Sequence, residues 1–342
     1  MRLVKNLCRI IVGIVFIYSG FVKGIDPLGS DYKFTDYFNA FGMGWMNATT
    51  LFFSFALSLV EFLIGIALLF NLWVSRMAWG SLLFMAFFTP LTLVLALTNP
   101  VSDCGCFGDA MILTNWQTFW KNIILLLLAI MIFMYRKEYK SSLPLVGQFS
   151  FLALAGAGML CLSVYCYRHL PVLDFRPYAV GKNITEGMRL PEGAEPDQYE
   201  VTLKYKNKQT GEVQSFTEEN YPWQDTLNWE YESSSERLVK KGYITPIHDL
   251  VIEHPTLGNI TEEILEDDNH TILAVAYNLT QSDVQYQPAI NRLAEYAQEK
   301  GIRFYGLTSS SERDIETYKK RYHVPYEFCT ADEIQLKTMI RS

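Results

Sequence analysis

Asp103-Cys104-Gly105-Cys106-Phe107-Gly108-Asp109 stands between two strongly apolar stretches, residues 77–97 and 116–135. Two thiols one residue apart, flanked by carboxylates and loosened by two glycines, are poor material for a packed core. They suit redox or metal chemistry. Three readings of the pair stay open here: a structural disulfide or idle thiols, a redox-active pair, and part of a metal site. Gly105 permits the tight backbone a Cys-x-Cys bridge needs. So small a ring is strained, and strain raises the reduction potential, which suits a labile bridge. Asp103 and Asp109 oppose this, because like charge disfavours a thiolate. Lys23 offsets them if it reaches the loop. No histidine is near in sequence, which weakens zinc, and no metal ligand is assigned.

Working outward, five segments are apolar and long enough to span a bilayer: residues 7–22, 51–70, 77–97, 116–135 and 149–167. The first follows Arg2 and Lys5 and has the length of a signal peptide, but no Ala-x-Ala-like cleavage pattern follows it. It is read as a membrane helix. Residues 1–169 carry a formal charge of +4 and residues 170–342 one of −11, which together give the −7 of the 342-residue chain. An apolar, slightly basic half thus precedes a polar, acidic one, the profile of a membrane domain carrying a soluble domain. An acidic soluble half gives no electrostatic reason for nucleic-acid binding.

The basic residues set the expected orientation. Arg2, Lys5, Arg9, Arg76, Arg136, Lys137 and Lys140 lie in connections assigned to the cytoplasmic side. The N-terminus is then inside, and residues 168–342 and the cysteine loop are outside, where disulfides persist. Asn99-Pro100 ends the third helix. Thr114 and Gln117 have the capping-box spacing and open the fourth. Trp45, Trp73, Trp116 and Trp120 lie near helix ends, as in an interfacial belt.

Glu61 falls near the middle of the second span, where a carboxyl is costly and faces the bundle interior. It is a candidate proton relay or hydrogen-bond partner for a quinone head group. The other reading is a protonated acid bonded to a neighbouring helix. Lys23 is the candidate cofactor-binding partner, with snorkelling as its other reading. Cys161 and Cys166 lie in the fifth span, roughly 140° apart around the helix. Cys166 is the candidate resolving thiol, against a small apolar filler.

Ser19-Gly20-Phe21-Val22-Lys23-Gly24-Ile25-Asp26-Pro27, the Glu of the second helix and Cys104-Gly105-Cys106-Phe107-Gly108-Asp109 before the fourth resemble the DoxX/MauE-like membrane family over about residues 1–140. The resemblance implies a four-helix inner-membrane bundle linked to quinone or thiol–disulfide processes. MauE-like members are associated with maturation of disulfide-rich methylamine dehydrogenase. A similar whole-chain arrangement occurs in DoxX-like proteins of Bacteroidetes, which implies a Gram-negative inner membrane with the periplasm outside. A fifth helix (141–169) and a large soluble region extend beyond the family's short members.

The soluble half opens with a linker and hairpin region (170–243), in which residues 199–205 alternate and 207–211 supply a turn. From there strands are expected at 247–253, 271–277 and 302–307. Helices are expected at 261–265, 288–300, 311–322 and 331–340. Alternating strands and helices imply a parallel or mixed α/β sheet. Residues 244–342 resemble the thioredoxin-like fold, but Asn278-Leu279-Thr280-Gln281-Ser282-Asp283 stands where Cys-x-x-Cys belongs, and Cys329 is the sole cysteine after residue 169. The chain stops at Ser342, before the last elements of that fold, so either the edge is unusual or the sequence is truncated. The resemblance implies a docking domain for a periplasmic protein partner. The expectation is therefore a membrane all-α bundle followed by an α/β thioredoxin-like domain. The leading function is a thiol/quinone oxidoreductase. The alternatives are a non-catalytic scaffold and a periplasmic-face metal-binding protein.

Overall fold

The computed structural model describes residues 2–340, apart from 102–103, 196–197, 218–219, 223–224, 226, 241, 244 and 248–249. It divides into two compact units, residues 1–180 with 336–342, and residues 181–335. The first contains six helices: α1 (Arg2–Ile25), α2 (Pro27–Ala40), α3 (Thr50–Leu69), α4 (Val74–Thr98), α5 (Asn115–Met134) and α6 (Leu145–Arg168). All except α2 provide a segment long and apolar enough to cross a membrane, so five spans are present as expected. Leu83, Phe87, Ile124, Leu127 and Leu154 point outward and are exposed in the bare protein. In a bilayer that surface meets lipid tails.

The core is built by α1, α3, α4 and α5, through Val12, Phe16, Leu68, Ala78, Met85, Leu125 and Ala129. The tightest contact is between α1 and α3, and it depends on missing side chains. A Cβ on Gly65 would lie 2.5 Å from the Ile17 nitrogen and 2.8 Å from the Gly13 carbonyl. One on Gly20 would lie 2.6 Å from the Phe62 nitrogen. Small residues at such crossings let membrane helices approach backbone to backbone. Gly65→Val is expected to destabilise the bundle by about 3 kcal/mol or more, because backbone cannot move aside as a side chain can. Gly158→Val, whose Cβ meets nothing within 4 Å, is the matched control. Thermal unfolding in detergent micelles should separate the two variants; equal midpoints would refute the close-packing account.

Arg9 is more than a flanking charge. It is buried and donates to the carbonyls of Leu68 and of Leu69, the latter at 2.9 Å. A cation thus satisfies open carbonyls at the α3 C-terminus. The helix ends near the cysteines follow the sequence signals. Asn99 closes α4 in the left-handed conformation, and Thr114 and Gln117 form the expected capping box on α5. The buried Asn115 amide donates to Asn99 Oδ1 at 2.8 Å and to the Val101 carbonyl at 2.9 Å. Both ends of the loop are therefore pinned together. Residues 23–50 do more than connect. Asp26 accepts from the Gly29 nitrogen at 2.9 Å and Pro27 opens the first turn, so α2 starts there.

The second unit carries α7 (Ile184–Met188) and a three-stranded antiparallel sheet in the order β2-β1-β3, from β1 (Gln198–Asn207), β2 (Val213–Thr217) and β3 (Trp229–Lys240). The expected hairpin is present, with Tyr205 opposite Gln214. β3 adds a strand the alternation does not reveal. Next come β4 (Glu253–His254), β5 (Gly258–Asn259), α8 (Thr261–Leu265), β6 (Thr271–Val275), α9 (Gln287–Glu299), β7 (Arg303–Thr308), α10 (Glu312–Tyr322), β8 (Glu327–Thr330) and the start of α11 (Glu333–Ile340), whose residues from Leu336 onward belong to the first unit. The five strands β4–β8 form a mixed sheet ordered β5-β4-β8-β7-β6, with β6, β7 and β8 parallel. This is the class of sheet that strand–helix alternation implies. The strand expected over 247–253 is a correction. Only Glu253–His254 pairs, and residues 248 and 249 lie outside the described residues. Ile247, Leu250 and Ile252 are buried. The Ile252 nitrogen donates to the Thr261 hydroxyl at 2.7 Å, so local packing, not a ladder, explains that apolar run.

Candidate functional site

Helical periodicity brings the site together. On α1, Ser19 and Lys23 are four residues apart and share a face with Phe16. On α3, Ser54, Ser58, Glu61 and Gly65 recur every three or four residues along one stripe. The two stripes meet, and Lys23 Nζ lies 2.5 Å from Glu61 Oε2. Both are buried, Lys23 at 8% and Glu61 at 5% exposure, so this is an ion pair out of water. Ser19 joins it to the cysteines. Its hydroxyl accepts from Lys23 Nζ at 2.9 Å and donates to the Cys106 carbonyl at 2.8 Å. Glu61 Oε2 is 3.1 Å away, within reach of the same proton.

Cys104 and Cys106 form a bonded pair, with Cα atoms 5.5 Å apart. Gly105 between them is left-handed at φ +61°, and a Cβ there would press on the Lys33 stem at 3.1 Å. Tyr37 of α2 donates to the Cys104 carbonyl at 2.7 Å. The Thr118 hydroxyl, on fully buried Thr118 of α5, lies 3.6 Å from Cys104 Sγ and is placed to donate to it. The loop backbone is thus held from α1 and α2, and one sulfur has a hydroxyl beside it.

The loop, the ion pair and helices α1–α5 line a partly open cavity. Its wall is mainly aliphatic and aromatic, with Phe16, Phe84, Phe88 and Leu95 beside the polar groups. Cys104, Cys106, Glu61 and Lys23 all line it, so four of the five residues singled out from sequence converge. Cys166 does not line it; it is buried on α6. Asp109 also stays out of the cavity wall and borders a separate small cleft beside Asp26 and Arg176. Asp103 lies outside the described residues. Among the described residues, no three His, Cys, Asp or Glu side chains gather as metal ligands.

The sequence gives no site role to Ser19, Lys33, Tyr37, Thr118 or Lys121. Ser30, Lys33, Phe34 and Tyr37 repeat at helical spacing and all face the cavity, a signal that could have placed α2 over it. In the second unit Cys329 is fully buried, and burial pushes its thiol up to about 11. It is therefore held as an unreactive thiol at neutral pH.

These features define a polytopic membrane protein with a cysteine pair roofing an apolar, ion-paired cavity. Residues 1–135 match the family model described as methylamine utilisation protein MauE, which supports the MauE/DoxX-like membrane family expected for this region. Residues 199–241 match a domain of unknown function, DUF8463, which covers most of the three-stranded sheet. No curated protein and no solved structure matches the chain.

Proposed function

We propose that the protein is an inner-membrane thiol oxidoreductase that passes electrons from a periplasmic protein dithiol to a quinone through Cys104 and Cys106. The observation that carries this reading is the cysteine pair in the wall of an apolar intramembrane cavity, with Lys23 and Glu61 beneath it. In the first half-reaction a substrate thiolate attacks one sulfur and the other leaves as thiolate. A second substrate thiol then resolves the mixed disulfide, giving a substrate disulfide and the Cys104/Cys106 dithiol. In the second, that dithiol closes again and two electrons and two protons pass to the quinone, giving quinol. Lys23 and Glu61 would hydrogen-bond the head group and move the protons. Cys166, buried away from the cavity, would act only as a resolving thiol in a rearranged state.

The Lys/Arg distribution supports an N-terminus inside and residues 170–342 in the periplasm. There the thioredoxin-like reading of residues 244–342 gives a docking function, since its one cysteine is buried and unreactive. The MauE match carries the association with methylamine utilisation, and hence with maturation of a partner protein, to this reading.

The test is thiol trapping of Cys104 and Cys106 in cells with quinones present and depleted. The pair should be oxidised when quinone is present and accumulate as dithiol on depletion. A pair equally oxidised in both conditions would leave a structural bridge and a scaffold.

A further inference from the structure

The cavity holds a second amine with a different environment. Lys121 projects from α5 into it, Nζ lying 4.2 Å from the ring centroid of Phe107, the residue after Cys106. Lys23 has Glu61 at 2.5 Å. Lys121 has no carboxylate or hydrogen-bond acceptor on its Nζ among the described residues; the Phe107 ring is its contact. An ammonium in an apolar wall is costly to bury without a partner. The side chain is nonetheless turned over the loop and toward the cavity. Among the described residues, Glu61 is the one carboxylate lining the cavity, and it is paired with Lys23.

We propose that Lys121 seats the head group of the bound quinone, its ammonium donating a hydrogen bond to one ring oxygen beside the Cys104–Cys106 bridge. This rests on the quinone reading above and names the residue that fixes the ligand. Phe107 holds the amine in position through the face of its ring, and the aliphatic walls take the tail. A second ring oxygen is left for Lys23 and Glu61.

The test uses the full chain in detergent micelles, with Cys104→Ala and Cys106→Ala both present so that no electrons move. The probes are a benzoquinone with a ten-carbon tail and decylbenzene, which has the tail and a ring but no ring oxygens. Lys121→Met should weaken the quinone about ten- to hundred-fold, the range for a hydrogen bond to a charged group. It should leave decylbenzene unchanged. Lys121→Arg, which keeps the charge, should recover most of the quinone affinity. Unchanged quinone binding in Lys121→Met would overturn the assignment while sparing the quinone reading. Equal loss of both probes would also overturn it, by showing that Lys121 only shapes the cavity. Failure of the chain with native Lys121 to bind the quinone at all would overturn the quinone reading and this assignment together.

Discussion

Cys104→Ser and Cys106→Ser should each abolish quinone-dependent oxidation of a partner dithiol, with the bundle still folded. Neither sulfur alone can carry two electrons as a disulfide, so the loss should be complete. The fold should survive because other groups hold the loop. Tyr37 and Ser19 bond the backbone carbonyls of Cys104 and Cys106, and Asn115 ties Asn99 to Val101. A ring closed by so few residues contributes only roughly 1–2 kcal/mol by chain entropy. The two variants should differ in one respect. The Thr118 hydroxyl beside Cys104 Sγ favours Cys104 as the leaving thiolate, so the substrate attacks Cys106. Cys104→Ser, which keeps Cys106, should therefore accumulate a mixed disulfide with the partner, and Cys106→Ser far less. Non-reducing gels of the two variants read this directly. Full activity in both variants would end the redox reading.

The membrane half is the more legible in sequence because its signals are local. Apolar length marks the spans, Asn99-Pro100 and the Thr114/Gln117 box mark the loop ends, and a carboxyl inside a span marks Glu61. The partners of those residues are set by helix rotation and packing, which a span-level reading discards. Lys121 reads as an ordinary charge near a helix end, and its inward direction depends on α5 presenting Thr118, Asn122 and Leu125 to the bundle. Residues 27–40 are too polar to register as a span, and α2 is visible only through the Asp26-Pro27 start and the spacing of Ser30, Lys33, Phe34 and Tyr37. In the second unit, β3 reads Trp229-Glu230-Tyr231-Glu232-Ser233-Ser234-Ser235, a mostly exposed strand. It buries little, so hydrophobic alternation cannot disclose it; it exists by pairing with β1.

Glu61→Leu should be the most damaging single change at the ion pair, and a second substitution should separate its two roles. Removing the carboxylate leaves the Lys23 ammonium buried in the cavity wall with Ser19 as its remaining hydrogen-bond partner. Breaking one side of a buried pair costs about 3–5 kcal/mol, because the surviving charge is uncompensated. Lys23→Met with Glu61→Leu removes both charges and should return stability close to that of the native protein, since apolar replacement of an entire buried pair is commonly neutral or favourable. Activity should not return with it. If the pair moves protons between the cysteine loop and the quinone, the stable double variant keeps its helices and cavity but has no group to carry them. Thermal unfolding in micelles and quinone-linked thiol oxidation, measured on the same three proteins, distinguish the outcomes. A stable double variant with native turnover would reduce Lys23 and Glu61 to a helix-joining pair. A Glu61→Leu protein as stable as the native chain would show that Lys23 finds another partner and that the burial argument for this pair fails.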